Sequence, residues 1–268
     1  MNANEVGSAM IPAMKTNLSV GSRVLARGQI KHDYRVRLAS SASDLHAAQA
    51  LRFVVFNLEM NEGLSQSYAT GRDADPFDDI CDHLVVEDVQ SGGVVGTYRL
   101  QTGATAAANL GYYSGQEFDL AAFEPWRGQI VELGRACVHS DHRNLAVLGL
   151  LWKAIAAYSW KRGGRYLIGC SSLSSQDPRV GASAYSELMR RYLVEPAMQV
   201  RPRPSWSCPM DELASEKVRI PKLLMAYLSL GAKICGAPAL DREFRTIDFL
   251  TLLDLESLPE STVNKYLR

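Results

Sequence analysis

The spacing of hydrophobic and polar positions changes several times along the chain, and each spacing predicts a different element. Tyr34–Leu38 alternates between apolar and polar residues, which favours a β-strand. Asp44 is a suitable helix N-cap, and the apolar residues after it recur every three to four positions, which predicts an amphipathic helix. These apolar residues are Leu45, Ala48, Leu51, Val55 and Leu58. Arg52 and Phe56 lie one turn apart at the margin of this stripe, so we expect Arg52 to point across the surface of the protein rather than straight into water.

The middle of the chain predicts a hairpin and a strand–helix–strand unit. His83–Glu87 and Val94–Leu100 flank a Gln-Ser-Gly-Gly turn, which is typical of a β-hairpin. The polar, acidic residues 61–82 before it predict a loop, and residues 101–129 after it predict an irregular segment. Ile130–Val138 is a strand, Leu145–Arg162 an amphipathic helix ended by two glycines, and Tyr166–Cys170 the next strand.

The remaining pattern completes one α/β body. It predicts helices over 180–193 and Pro221–Leu230, a proline-rich loop or flap over 196–209, and a late strand over Ile247–Leu253. Strands in the middle with helices outside predict a single α/β sandwich. We divide the chain into a poorly ordered tail (1–30), the α/β domain (31–255) and a C-terminal helix (256–268).

Composition narrows the class of protein. The 29 basic and 29 acidic residues cancel, so no overall field attracts nucleic acid. The five cysteines contain no C-x-x-C pair, which favours reduced thiols and no zinc site. No apolar run approaches the ~20 residues of a membrane span. We therefore expect a cytoplasmic protein, with peripheral contact at the inner membrane face left open.

The strand Ile130–Val138 is the most informative segment, because it carries Glu132 and Arg135 among buried positions. Buried strands seldom hold charges unless these are paired or functional, so a structural ion pair is the alternative to an active site. Residues three apart on a regular strand face opposite sides. We predict a bulge at Leu133–Gly134 that turns both side chains to one side.

Other charged residues recur at the ends of predicted elements. An acidic group, Asp75, Asp78, Asp79 and Asp82, precedes the hairpin; its spacing does not match a calcium-binding loop, so we expect most of it to be solvated. His83 begins a strand and has the alternative role of satisfying a backbone carbonyl. The chain lacks a G-x-S-x-G elbow, a thiol-enzyme pattern and a phosphate-binding loop. A glutamate base and several anion-binding arginines suit direct acyl transfer to an amine.

Four motifs occur in the order seen in GNAT-fold, acyl-carrier-protein-dependent N-acyltransferases, which the chain resembles over about residues 33–255. They are Leu51–Phe56, Phe77–Val85, Gly96–Leu100 and Glu132–Arg135. The last reads Glu-Leu-Gly-Arg, where acyl-homoserine-lactone synthases have Glu-Leu-Ser-Arg. Val131–His139 and the tail from Leu223 to Leu250 look closer to the ornithine lipid N-acyltransferases and the long-chain N-acyl amino acid synthases, often labelled hemolysin-like.

The resemblance implies a GNAT-like mixed sheet, splayed at its centre and flanked by helices, with the thioester in the splay. It implies that Glu132 orients or deprotonates the acceptor amine, directly or through water, and that Arg135 is the second catalytic residue. The implied substrate-binding residues are Arg52, Phe56, Asp82, His83 and Arg99.

The resemblance also bears on the acyl donor. Acetyl-CoA-using relatives carry a glycine-rich pyrophosphate loop at the place where this chain has Arg143–Leu148 and neither glycine. This departure fits a phosphopantetheine thioester on acyl carrier protein, with no resident cofactor and no metal. Because a carrier protein is acidic, a basic docking patch is expected, and the alternative for the same residues is a solvated helix face. The docking candidates are Arg143, Lys153, Lys161, Arg162 and Arg165.

We therefore expect an enzyme that moves a long-chain fatty acyl group, either plain or 3-hydroxylated, from acyl carrier protein to the α-amine of ornithine, giving a lyso-ornithine lipid. A long-chain N-acyl amino acid synthase with another acceptor is the nearest alternative. Homoserine lactone formation fits less well, since it needs S-adenosylmethionine. From a different class, the chain could be a non-catalytic module that binds an acyl carrier or a lipid.

Overall fold

The computed structural model describes residues 33–260 and 262, so the tail predicted over 1–30 and most of the helix predicted over 256–268 lie outside the described part of the chain. Ten strands and six α-helices are found there. The strands are β1 (Tyr34–Leu38), β2 (Asp82–Asp88), β3 (Val94–Thr102), β4 (Phe118–Asp119), β5 (Ile130–Val138), β6 (Tyr166–Leu173), β7 (Arg201–Pro202), β8 (Lys233–Ile234), β9 (Ala239–Asp241) and β10 (Thr246–Asp254). The helices are α1 (Ala42–Arg52), α2 (Ser67–Thr70), α3 (Gly103–Ala108), α4 (Leu145–Lys161), α5 (Pro178–Tyr192) and α6 (Lys222–Ser229).

One mixed eight-stranded sheet organises the domain, in the order β1-β2-β3-β5-β6-β10-β8, with β9 also paired to β10. Adjacent strands of this sheet are antiparallel, except that β5 and β6 run parallel. That parallel ladder is short: it joins only Ile130–Glu132 to Tyr166–Ile168. The pairing therefore ends in the middle of the sheet, directly after Glu132.

Helices cover both faces of the sheet. On one face, Val147, Leu151 and Ile155 of α4 pack in one buried cluster with Leu84 of β2 and Leu100 of β3, as the apolar period of α4 predicts. Helix α1 packs on the other face, against β3 and β5. Helices α5 and α6 cover the far part of the sheet, around β8 and β10. Within residues 33–260, no helix has the length and apolar character needed to cross a membrane.

The first helix differs from its prediction at both ends. Ser41, not Asp44, is its N-cap and accepts a hydrogen bond from the Asp44 backbone N–H. Helix α1 continues as a π-helix over Phe53–Glu59, and the wider turn changes which side chains face inward. Leu58, predicted to lie on the buried stripe, is therefore 58% exposed, whereas Asn57 is buried.

Two irregular stretches contain more structure than the sequence predicts. The polar loop before β2 contains α2 and a 3₁₀ turn at Pro76–Asp79. A second 3₁₀ turn, Tyr113–Gln116, leads into β4. The proline-rich flap predicted over 196–209 contributes β7, which pairs with β4.

Candidate active site

One face of β3 and β5 carries the polar side chains of the candidate site. Gln101 is the register partner of Glu132, and Arg99 is the register partner of Gly134, so alternate residues of the two strands share this face. Tyr98 and Leu100 point to the opposite face and join the core around α4. The site therefore lies on the α1 side of the sheet, where the β5–β6 pairing ends.

Glu132 is buried and saturated with hydrogen-bond donors. Its Oε2 accepts from Gln101 Nε2 at 2.9 Å and from Tyr113 N at 2.7 Å. Its Oε1 accepts from Ser114 N at 2.8 Å and from Ser114 Oγ at 2.6 Å. An ionised carboxylate has about four acceptor positions, so every position is in use. The arrangement holds the turn Tyr113–Gln116 against β5.

A bulge in β5 aims Arg135 at the same side as Glu132. Arg135 and Ala136 together oppose the single residue Tyr98 of β3, because Thr97 pairs with Cys137 and Arg99 with Gly134. The bulge thus lies at Arg135–Ala136, and the prediction of a bulge at Leu133–Gly134 is wrong by two residues. The left-handed residue is Arg135 itself, with φ of 50°, not the glycine.

Glu132 and Arg135 do not contact each other directly, and Tyr113 connects them. Its backbone N–H donates to Glu132, while its hydroxyl accepts a hydrogen bond from Arg135 Nη1 at 3.2 Å. Both side chains therefore share one site, although no ion pair joins them, which excludes the structural Glu132–Arg135 ion pair that the sequence left as the alternative.

Three arginines and three aspartates form a buried cluster next to Glu132, which we call the Arg–Asp cluster: Arg52, Arg99, Arg135, Asp73, Asp75 and Asp78. Arg135 binds Asp73 (3.1 Å) and Asp75 (2.9 Å), and Arg99 binds Asp75 (2.6 Å) and Asp78 (2.9 Å). Arg52 contacts Asp73 and makes two hydrogen bonds to Asp78. The formal charges sum to zero, and the two arginine neighbours hold the pKa of Asp78 below its usual range against the opposing effect of burial.

The cluster corrects two predictions. Arg52 does not point across the surface, because its side chain is 0% exposed. Asp75 and Asp78 are not solvated, because arginines surround them; Asp79, in contrast, is exposed. The polar loop folds over the sheet and delivers its carboxylates to arginines that the strands and α1 supply.

Aromatic rings line the arginines. The Arg99 guanidinium lies 5.0 Å from the Tyr113 ring centroid, and the Arg135 guanidinium lies 4.8 Å from the same centroid and 4.7 Å from that of Phe244. Phe56 packs edge-on against Phe244 at 5.4 Å and is buried in an apolar cluster. Phe56 thus supports the Arg135 side of the site from the core.

His83 adopts the structural role that the sequence left open. Its Nε2 lies 3.0 Å from the backbone carbonyl oxygen of Asp78, which fits an Nε2–H donor. Burial lowers the pKa of the imidazole, so the neutral ring is favoured. His83 therefore braces the loop that carries Asp78.

Asp82 lies apart from the site. It is the register partner of Leu100 and faces the α4 side of the sheet, where it accepts a hydrogen bond from the Tyr158 hydroxyl and pairs with Arg162. Its position does not support the prediction that it binds substrate. Asp73, Asp75 and Asp78 occupy the places beside the arginines instead.

The five docking candidates do not form a single patch. Arg143 precedes α4, whereas Lys161, Arg162 and Arg165 lie at or beyond its other end, about 25 Å away for a 17-residue helix. Arg143 pairs with Glu59, Arg162 with Asp82, and Arg165 with Asp254 and Glu256. Lys153 lies between the two ends and is exposed.

Sequence reasoning missed several residues of the site. Gln101, Tyr113 and Ser114 hold Glu132, but all three lie in the segment 101–129, which offered no periodic signal. Two more, Glu117 and Asp248, are buried nearby. Asp248 was detectable, because it is a carboxylate inside the apolar run Ile247–Leu253, which is the argument applied to Glu132.

Comparison with known proteins agrees with this fold. The acetyltransferase (GNAT) domain family matches residues 51–153. Among solved structures, the AHL synthase LasI superposes with a TM-score of 0.51 at 13% identity, covering 88% of this chain and 95% of that one. FeeM, an N-acyl amino acid synthase from uncultured soil microbes, gives a TM-score of 0.50 at 12% identity over 84% and 93% of the two chains. These likenesses show the GNAT-like fold.

Sequence relatives extend over nearly the whole chain. The L-ornithine N(alpha)-acyltransferase of Agrobacterium fabrum (strain C58) is 34% identical over 86% of this chain and 84% of its own. The protein of the same name from Brucella abortus (strain 2308) is 34% identical, over 86% and 88%. That of Rhodobacter capsulatus is 32% identical, over 88% and 95%. The chain is therefore an acyltransferase of the GNAT fold and belongs to the L-ornithine N(alpha)-acyltransferase family.

Proposed function

We propose that this enzyme transfers a long-chain fatty acyl group from acyl carrier protein to the α-amine of L-ornithine, forming a lyso-ornithine lipid. The names and coverage of the relatives support the acceptor. The structural observation that carries the proposal is the buried Glu132 carboxylate with the Ser114 hydroxyl on it, at the point where the β5–β6 pairing ends.

The reaction needs a neutral amine and a place for the proton that it loses. The amine nitrogen forms a bond to the thioester carbonyl carbon, the C–S bond breaks, and the thiol leaves with a proton. Three of the four donors on Glu132 are amide N–H groups, which are too weakly acidic to pass a proton to the carboxylate. The Ser114 hydroxyl can accept the amine proton while it passes its own proton to Glu132, so it is the proposed relay.

The acceptor's α-carboxylate needs a cation. Most guanidinium nitrogens of the Arg–Asp cluster are engaged by aspartates, but Arg99 Nη2 is buried and has no hydrogen-bond partner among the described residues. A buried donor without a partner is unfavourable until something accepts its hydrogen bond. We assign the substrate carboxylate to Arg99 Nη2, with Arg135 held nearby by Asp73 and Asp75.

A carrier-bound donor is the proposed acyl source. It is supported by the missing glycines in Arg143–Leu148, which in acetyl-CoA users bind pyrophosphate. Arg143, at the N-terminal end of α4, is the proposed partner of the phosphate and would exchange its ion pair with Glu59 for it, whereas Lys161, Arg162 and Arg165 would need a partner that extends along the helix. The long apolar product favours a cytoplasmic enzyme that works at the inner face of the membrane.

The direct test combines purified protein with acyl carrier protein thioesters and coenzyme A thioesters of several chain lengths, and with a panel of amino acids, read by mass spectrometry. N-acylornithine formed from the carrier thioester supports the proposal. A product with another amino acid identifies a general N-acyl amino acid synthase. Carrier binding without any product identifies a binding module.

Replacement of the proposed base gives the first mutational prediction. We expect Glu132→Gln to lower kcat by about 10²-fold or more, the usual scale for a positioned acid or base. Glu187→Gln, at an exposed position of α5, is the matched control and should leave kcat unchanged. The measurement is steady-state turnover with the carrier thioester, together with the melting temperature of each variant.

Ser114→Ala distinguishes relay from support. It removes the hydroxyl but keeps the backbone N–H on Glu132, so a fall in kcat with an unchanged melting temperature favours the relay. Full turnover by folded Glu132→Gln would remove Glu132 as the base.

A further inference from the structure

Three buried carboxylates lie on the other side of the opening in the sheet from Glu132. Glu117 follows the turn Tyr113–Gln116, Asp241 ends β9, and Asp248 lies on β10 next to it. The three residues are 1%, 3% and 4% exposed. One oxygen from each lies within 4.8 Å of the other two. We call this group the acidic triad.

The acidic triad has no cationic partner among the described residues. Asp241 Oδ1 accepts from the backbone N–H groups of Glu243 and Phe244, and Asp248 Oδ2 accepts from Thr246 Oγ1. Glu117 Oε1 receives only the Cys170 thiol, at 3.7 Å. Two buried oxygens, Glu117 Oε2 and Asp248 Oδ1, have no hydrogen-bond donor among the described residues when both groups are ionised. Ser172 also hydrogen-bonds to Asp248, and Glu117 and Asp248 are close enough to share a hydrogen bond when one of them is protonated. An uncompensated buried charge is strongly unfavourable, and the neighbouring Arg–Asp cluster shows the usual solution.

Protons compensate this charge when no cation is present. Burial, and then the proximity of the other two carboxylates, raise the pKa of Glu117 well above its ordinary value. Burial likewise raises the pKa of Asp241 and of Asp248. The titratable groups that face the triad are the half-buried Cys170 thiol, whose raised pKa keeps it neutral, the Tyr113 hydroxyl, and Arg135, which acts on the pKa of Asp241 in the opposite direction. A cation that enters therefore displaces protons and gains buried carboxylate partners.

Glu117 of the triad lies one 3₁₀ turn along the chain from Ser114, and the rise of that turn is comparable to the length of a diamino acid. Glu132 accepts from the Ser114 N–H, and the Glu117 N–H closes the turn on the Ser114 carbonyl oxygen at 3.2 Å. Residues three apart in a 3₁₀ turn are separated by ~6 Å. The α and δ nitrogens of ornithine are five bonds apart and, with staggered bonds of ~1.5 Å, also span ~6 Å.

We propose that the acidic triad binds the side-chain ammonium of the acceptor and thereby selects a basic amino acid over a neutral one. An ammonium has three N–H donors, and donor–acceptor distances of ~2.8 Å place three acceptors ~4.6 Å apart, which the triad accommodates. The inference rests on the proposed function, since it assigns the second nitrogen of the same acceptor.

The test compares L-ornithine with L-norvaline, which has the same carbon chain without the δ-amine. We expect the unmodified enzyme to favour ornithine in kcat/KM by about 10²-fold or more, because norvaline leaves the triad without a cation. Asp248→Asn and Glu117→Gln should each reduce this ratio at least about tenfold, chiefly through the KM for ornithine. Asp211→Asn, at an exposed position, is the control and should keep the ratio.

Calorimetric titration of the free amino acids separates this inference from the proposed function, because it needs no turnover. Ornithine binding with proton release, lost in Asp248→Asn, supports the triad even if no acyl product forms. Equal turnover of ornithine and norvaline overturns the triad while leaving the acyltransfer intact. Failure of free ornithine to bind, or a tightly held divalent metal whose removal abolishes the ornithine preference, also overturns it.

Discussion

At the scale of single residues, the Arg–Asp cluster changes the roles that can be assigned to its three arginines. The sequence suggests three cations ready to hold an anion, whereas the folded chain neutralises them with three aspartates of one loop. Two buried guanidinium nitrogens of the described cluster, Arg99 Nη2 and Arg52 Nε, lack a hydrogen-bond partner, but Arg52 Nε still lies 2.9 Å from Asp73 Oδ1. Arg99 and Arg52 therefore differ in how far aspartates occupy them. Arg52, which is fully buried and contacts Asp73 and Asp78, supports the loop that carries these aspartates.

This distinction predicts the effect of Arg52→Met on stability. Removing one member of a buried ion-pair network leaves uncompensated carboxylates, so we expect a loss of about 3–5 kcal/mol in the free energy of unfolding, measured by urea denaturation. Arg179→Met breaks the exposed pair with Asp177 and should leave the free energy of unfolding nearly unchanged. Adding Asp78→Asn to Arg52→Met should recover part of the loss. A loss below about 1 kcal/mol for Arg52→Met would contradict this account of the cluster.

At the scale of elements, the sequence predicted the strands and helices well and their irregularities poorly. The bounds of β5 and the start of α4 were predicted correctly, because periodic apolar positions are fixed by the local chain. The π-helix after α1 and the bulge at Arg135 were missed or misplaced, since both depend on contacts with distant elements. The prediction assigned the bulge to a glycine, yet an arginine held by two aspartates takes the left-handed conformation.

The glycine that the sheet does require is Gly169 of β6. A Cβ there would lie 2.3 Å from the Leu133 carbonyl oxygen, just beyond the last paired residues of β5 and β6. We expect Gly169→Ala to lower the free energy of unfolding by about 1–3 kcal/mol, because the two backbones must separate. In Gly134→Ala the new Cβ meets nothing within 4 Å, so this control should change stability far less. Equal effects of the two substitutions in urea denaturation would refute the close approach.

At the scale of the whole molecule, the sequence predicted the fold but only part of the site. Glu132, Arg99 and Arg135 lie together as expected, while Asp82 lies on the other face of the sheet and the docking candidates are spread along α4. The donors to Glu132 and the acidic triad come from segments brought together by long-range contacts, which no local pattern encodes. Such contacts are visible only after the chain has folded.

The acidic triad should also shape the pH dependence of stability. Burial raises the pKa of Asp248 to about 6, so between about pH 4 and pH 6 the folded chain binds more protons than the unfolded chain, and stability falls as the pH rises. Asp248→Asn lacks this loss. The free energy of unfolding of Asp248→Asn, minus that of the unmodified protein, should increase by at most about 3 kcal/mol from pH 4 to pH 6. Above pH 6 this difference should stay level. Urea denaturation at pH 4, 5, 6 and 7 measures it, and a difference that does not vary with pH would contradict it.

The turn Tyr113–Gln116 also bears on the order of folding. Gly115 within the turn and Glu117 directly after it accept hydrogen bonds from Arg203, 88 and 86 residues further along, and the turn's own N–H groups reach Glu132. Contacts between such distant residues form late, because the intervening chain must first lose its conformational freedom. A partly folded chain that has formed the hairpin and the helices but not this turn contains most of the secondary structure. It does not yet contain a complete active site. During refolding, activity should therefore return after the circular dichroism signal, with the last long-range contacts.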